Sequence, residues 1–165
     1  MNIVLVGFMG TGKTVVARAL ARKLGRKYLD LDDEIERQTG RSINEIFKQD
    51  SEQHFRRLEK ITAKKVSRLD DQVLATGGGV VLDKQNIDNL KKNGVLVCLS
   101  SRPEIIYSRV KGRIHRPLLN VDDPLTKIKD LLSARKPYYA KADFAIDTSE
   151  LTVEEVVNKI VKLLN

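Results

Sequence analysis

A short apolar run, Asn2 to Val6, leads directly into Gly7-Phe8-Met9-Gly10-Thr11-Gly12-Lys13-Thr14, the pattern G-x-x-x-x-G-K-T. Val16, Ala17, Leu20, Ala21 and Leu24 follow at helical spacing. Strand, glycine-rich loop and helix in immediate succession constrain the fold more than any other part of the chain. This arrangement places backbone N–H groups and a helix N-terminus around an anion, so the loop is expected to cradle nucleotide phosphates. Gly10, Thr11 and Gly12 would supply the loop. Lys13 would reach the β- and γ-phosphates, and the Thr14 hydroxyl would bind Mg²⁺. A glycine-rich turn that binds nothing is the alternative, and the flanking strand and helix argue against it.

The same alternation continues along the chain. Strands are expected at 2–6, 27–30, 72–75, 94–99 and 143–147. Helices are expected at 13–24, 31–39, 43–49, 51–69, 83–92, 103–110, 124–140 and 152–164. Ser42, Asp83 and Thr152 are suitable N-caps, and Glu155 completes a capping-box pattern with Thr152. Strands alternating with helices predict an α/β three-layer sandwich around a five-stranded parallel sheet, with ligands at the carboxyl ends of the strands. At 165 residues, with no linker, repeat or low-complexity tract, one domain covering 1–165 is expected. Residues 111–123 carry Gly112, Pro117 and three basic side chains and have few helix signals. An irregular stretch of that length inside a compact domain is usually functional or disordered, and a lid is the first functional possibility.

The charge balance is compatible with several partners. A formal net charge of +8 suits a polyanion, but it also speeds the encounter of small anionic substrates. The lysines are spread over helical segments and no basic stripe is interleaved with aromatics, so nucleic acid is not expected as a partner. Cys98, the one cysteine, lies in the apolar run 95–99; no intrachain disulfide can form, which fits a reducing compartment. No apolar run approaches membrane-spanning length, and the short N-terminal one lacks a basic leader. A cytoplasmic protein, away from membranes and monomeric, is the expectation.

A phosphate loop names a nucleotide, not a reaction. The strands 72–75 and 94–99 do not end on an acid, whereas the run 27–30 leads into Asp30-Leu31-Asp32-Asp33. In extended chain Asp30 and Asp32 point to the same side. One carboxylate can then hold a Mg²⁺-bound water while the other accepts the proton of an attacking hydroxyl. The competing reading is that Asp32 or Asp33 caps the next helix. Gly77, Gly78 and Gly79 follow the strand at 72–75 and let a ligand approach the backbone, unless they form only a tight turn. Arg56, Arg109, Arg116 and Arg135 are candidates for gripping carboxylate or phosphate through the planar guanidinium fork. His54 and His115 are unpaired in the sequence and suggest no metal site.

Read in order, the phosphate loop, Asp-x-Asp, Phe-Arg-x-x-Glu, Gly-Gly-Gly and Arg-Pro-Leu-Leu resemble shikimate kinase from Ile3 to the C-terminal helix. The stretches Gly40-Arg41-Ser42-Ile43 to Ile46-Phe47 and Ala75-Thr76-Gly77-Gly78-Gly79 are similar to that family too. The resemblance implies a P-loop kinase fold with a mobile lid. It implies transfer of the γ-phosphoryl of ATP to the 3-hydroxyl of shikimate, with Mg²⁺ as cofactor, on the route to chorismate. It gives Lys13 and Thr14 to the phosphates and the metal, and Asp30 to the metal through water. Asp32 becomes the candidate base. Arg56 and Arg135 grip the substrate carboxylate, Glu59 supports Arg56, and Gly77, Gly78 and Gly79 lie along the substrate. Phe47 and Phe55 wall the pocket. Arg116 descends with the lid onto the phosphates, and Arg109 packs on adenine. Ser51-Glu52 stands where the family commonly has Gly-Glu. A gluconate or nucleoside monophosphate kinase shares the size and fold and stays open on the residues alone, as does a nucleotide-dependent binding module.

Overall fold

Strand β1, Asn2–Val6, is buried at every residue, which explains a continuous apolar run where a half-exposed strand would alternate. The computed structural model describes residues 1–112 and 119–164. β2 (Lys27–Asp30), β3 (Gln72–Ala75), β4 (Gly94–Ser100) and β5 (Phe144–Asp147) join β1 in one parallel sheet of order β2-β3-β1-β4-β5. Register pairs Leu5 with Ala75 on one side of β1 and with Val97 on the other. The chain leaves β1 for one half of the sheet and later returns to build the other. Connections therefore diverge at the carboxyl end of β1, where open α/β sheets bind ligands.

Eight α-helices alternate with these strands among the described residues: α1 (Lys13–Leu24), α2 (Leu31–Thr39), α3 (Ile43–Gln49), α4 (Glu52–Val66), α5 (Lys84–Lys91), α6 (Pro103–Val110), α7 (Pro124–Tyr139) and α8 (Val153–Leu164). They cover both faces, giving the three layers. Ile3 and Leu5 of β1 pack with Val16, Ala17 and Leu20 of α1 and Val156, Val157 and Ile160 of α8. Val4 and Val6 point the other way, toward Ala63 and Val66 of α4 and Ile87 and Leu90 of α5. Two smaller clusters extend the core toward the carboxyl edge. Phe8 meets Ile106, Val110 and Ile128, tying the phosphate loop to α6 and α7. Ile35, Ile46 and Phe55 join α2, α3 and α4. Cys98 sits in the sheet core, where burial pushes its thiol up to about 11. No described helix is long and apolar enough to cross a membrane.

The expected bounds differ mainly at the caps. Ser51, Asp83 and Thr152, expected as the first residues of helices, sit outside them. The Ser51 hydroxyl accepts the His54 N–H and the Asp83 carboxylate accepts that of Gln85, at 3.1 and 2.8 Å. Thr152 and Glu155 form the reciprocal box, and Ser42 forms a second one with Glu45 that the spacing also encodes. α4 ends at Val66 rather than 69, and α5 and α7 stop one residue early. The 3₁₀ turn Val80–Leu82 was not expected. Arg116, His115 and Pro117 fall outside the described residues, with the centre of the stretch expected to form a lid.

Candidate active site

The phosphate loop lies between β1 and α1 as the motif requires. A Cβ on Gly7 (φ +141°) would fall 2.2 Å from the Leu99 carbonyl oxygen, so only glycine lets the loop leave the sheet there. Gly12 is the N-cap of α1 and brings no capping side chain to its first N–H groups. An anion can take that role. The rest of the loop is held from within. The Thr11 hydroxyl and the Lys13 ammonium both donate to the Phe8 carbonyl at 2.8 Å. Arg109 donates to the Gly10 carbonyl at 3.1 Å and to the Thr148 carbonyl at 3.0 Å. The Thr148 hydroxyl in turn donates to the Thr11 carbonyl at 3.1 Å.

Asp30 and Asp32 converge, but not through the extended-chain alternation expected. α2 starts at Leu31, whose side chain is buried, so Asp32 already belongs to a helix. The capping residue is Asp30, not Asp32 or Asp33: its Oδ1 accepts the Asp32 N–H at 3.0 Å. Its Oδ2 accepts from the Tyr28 hydroxyl at 3.1 Å and from the Thr14 hydroxyl at 3.4 Å. Both acids, with Lys13, Thr14, Gly77, Gly78 and Arg109, line a cavity of about 280 Å³ beside the loop. Asp32 Oδ1 is buried with no hydrogen-bond partner among the described residues. Burial first, then the charges of Asp30 and Glu59, push the Asp32 carboxyl up to about 7, against the pull of Lys13. A carboxylate poised there can accept a proton near neutral pH.

A second cavity of about 130 Å³ adjoins the first and shares Met9, Asp32, Gly77 and Gly78 with it. Arg56, Arg135, Phe47, Phe55, Glu59, Ile43 and Gly79 complete its lining. The Phe47 and Phe55 rings pack at 4.9 Å between centroids. Arg56 Nη1 donates to Glu59 Oε2 at 2.9 Å. Glu59 is 1% exposed; burial pushes its carboxyl up despite Arg56 and Arg135. Arg135 is 8% exposed, with its guanidinium 5.5 Å from the Phe8 ring centroid. Gly79 passes so close to Arg56 that an added Cβ would lie 2.4 Å from Nη1. The site thus joins a phosphate cradle, a raised-pKa carboxyl and two arginine forks across one shared wall. That set suits phosphoryl transfer to the hydroxyl of a small carboxylic acid.

The shikimate kinase family model matches residues 9–165. The shikimate kinase of Thermodesulfovibrio yellowstonii is 50% identical over 161 residues, covering 98% of this chain and 93% of that protein. That of Caldanaerobacter subterraneus subsp. tengcongensis is 47% identical over 98% of this chain and 94% of its own length. This chain belongs to the shikimate kinase family. Among solved structures, shikimate kinase from Acinetobacter baumannii in complex with shikimate superimposes with a TM-score of 0.94 at 41% identity, covering 99% of this chain and 92% of that one.

Two residues of the site escaped the sequence reading although their spacing marks them. Tyr28 precedes Asp30 by two on β2 and so shares its face. Tyr139 follows Arg135 by four on α7, and its hydroxyl donates to the Gly78 carbonyl at 2.7 Å. A wider recess of about 490 Å³ between α4 and α5, lined by Lys60, Lys64 and Lys92, lies away from the loop and contains none of these groups.

Proposed function

We propose that this chain transfers the γ-phosphoryl group of MgATP to the 3-hydroxyl of shikimate, giving shikimate 3-phosphate and ADP. The observation that carries this reading is the buried Asp32 Oδ1, unpartnered among the described residues, on the wall between the phosphate-loop cavity and the two-arginine cavity. Arg56 and Arg135 take the shikimate carboxylate, and Asp32 takes the proton of the attacking hydroxyl as the new P–O bond forms. ADP leaves with the electrons of the broken one. Lys13 balances the phosphate charge and Arg109 borders the nucleotide. The oxygen donors present suit Mg²⁺, which binds through few protein ligands and keeps waters. Thr14 would hold it directly and Asp30 through water. When bound, the ion neutralises charge on the β- and γ-phosphates.

ADP formation from MgATP, followed with shikimate, gluconate, AMP and CMP in turn, tests the reading. Strong stimulation by shikimate alone is expected, and turnover with a different acceptor instead would overturn it. In the same assay Asp30→Asn should raise the Mg²⁺ concentration needed for half-maximal rate while sparing the shikimate KM. Asparagine caps a helix as well as aspartate does, so the fold should stand. An unaltered Mg²⁺ dependence removes Asp30 from the metal.

Gly79→Ala offers a steric check on the acceptor pocket. The new methyl would collide with the Arg56 guanidinium. Shikimate KM should rise by at least about tenfold, a loss of roughly 1.4 kcal/mol, with the ATP KM unchanged. Equal KM values in the variant and the native protein would mean that Arg56 does not work from this position.

A further inference from the structure

We propose that Tyr139 is a positioning residue for the acceptor pocket, fixing the Gly78–Gly79 peptide so that its N–H faces the substrate. The inference rests on the pocket assignment made above. Three consecutive glycines have the widest conformational freedom of any backbone, so their orientation must be imposed by neighbours. Downstream this is done locally: the Val80 N–H donates to the Gly77 carbonyl at 3.2 Å and the Leu82 N–H to that of Gly79 at 3.0 Å. The Asn86 amide adds a bond to the Val80 carbonyl at 3.1 Å. The Gly78 carbonyl is turned instead toward α7, where the Tyr139 hydroxyl donates to it at 2.7 Å. A trans peptide is planar, with its N–H opposite its C=O. Holding the Gly78 oxygen against Tyr139 therefore turns the Gly79 N–H away from α7. Gly78 and Gly79 both line the two-arginine cavity.

The anchor is itself rigid. The Tyr139 ring packs at the junction of the sheet core and the phosphate-loop cluster, beside neighbours of both. Burial, opposed by Arg135, pushes its phenol up to about 12, so it stays a donor at any working pH. Arg135 lies one turn earlier on the same helix and lines the same cavity. One helix thus carries both the guanidinium fork and the donor that holds the peptide beside it.

Tyr139→Phe keeps the ring and deletes the donor. Initial rates are measured with both substrates varied, alongside melting temperature and Arg56→Ala run in parallel. Shikimate KM should rise about 3–10-fold, the effect of losing one hydrogen bond, with the ATP KM within twofold. A purely structural role would lower the melting temperature and the active fraction and leave both KM values alone, which overturns the proposal. If Arg56→Ala raises shikimate KM and Tyr139→Phe does not, the positioning role fails and the pocket stands. If neither moves it, pocket and inference fall together. Should Tyr139→Phe not fold, 4-fluorophenylalanine and 4-aminophenylalanine at position 139 make the same comparison. Only the amino analogue, which retains a donor, should keep the native KM, and equal KM values for the pair would overturn the role.

Discussion

Asp32→Asn should lose turnover by roughly 10²–10⁴-fold, the usual contribution of a positioned general base, and should at the same time melt higher than the native protein at pH 8. The two effects share one cause. The carboxyl is buried beside Asp30 and Glu59, and its pKa is raised from 3.8 to about 7. An acid whose folded pKa lies above its unfolded value binds protons more tightly when folded. Native stability therefore falls as pH rises from about 4 to about 7, and the full cost of ionising Asp32 is present above 7. A rise of about three units sets a ceiling of roughly 4 kcal/mol on that cost. Asparagine does not ionise and escapes it. The melting advantage of the variant should be small at pH 4.5 and reach several degrees at pH 8. If Asp32 is the base, kcat/KM of the native protein should climb through about pH 7 as its carboxyl loses its proton. Folded Asp32→Asn with kcat within tenfold of native would remove it as the base, and a melting advantage that does not grow with pH would refute the electrostatic account.

Arg56→Ala should raise shikimate KM by about 30-fold or more, equivalent to roughly 2–5 kcal/mol for truncating one side of a desolvated charge contact. kcat should change far less, because the carboxylate that Arg56 is proposed to grip is remote from the reacting oxygen. Calorimetric titration with shikimate would read the same loss directly. Stability should fall too, since the variant leaves Glu59, 1% exposed, without the group that donates to it at 2.9 Å. The double variant Arg56→Ala/Glu59→Gln separates the two losses: it should recover melting temperature but not KM. Recovery of KM in the double variant would mean that Glu59, not the missing fork, disturbs the pocket. Lysine at 56 should not rescue binding, because it offers a point charge in place of a fork.

Most of the sheet was legible because β1 and β4 are buried on both faces and carry long apolar runs. The helices were legible because their apolar stripes return every three or four residues. The phosphate-loop motif could be read whole, since Gly7 to Thr14 form one contiguous stretch of the chain. The arginine pair was harder. Arg56 and Arg135 are 79 residues apart, and only the packing of α4 and α7 around the glycine segment brings them to one cavity. Asp30 and Asp32 form a pair for a reason other than alternation along a strand: a helix starting at Leu31 replaces the extended chain, Asp30 caps it, and Asp32 in its first turn faces Gly77. The 3₁₀ turn at Val80–Leu82 left no periodic signature, being one turn long. Spacing puts Tyr28 on the face of Asp30 and Tyr139 one turn from Arg135, but an aromatic at core spacing does not show by itself that its hydroxyl has a polar partner.

The bracing of the phosphate loop has a thermodynamic consequence. Arg109 and Thr148 fasten the Gly10 and Thr11 carbonyls to the end of β5, and Thr11 and Lys13 close the loop on Phe8. The loop is preorganised: its ordering entropy is settled when the chain folds and is not charged against nucleotide capture. Each N–H contact made with a polyphosphate then contributes to affinity with little lost to immobilising the backbone, the general advantage of a rigid receptor over one that must fold around its ligand.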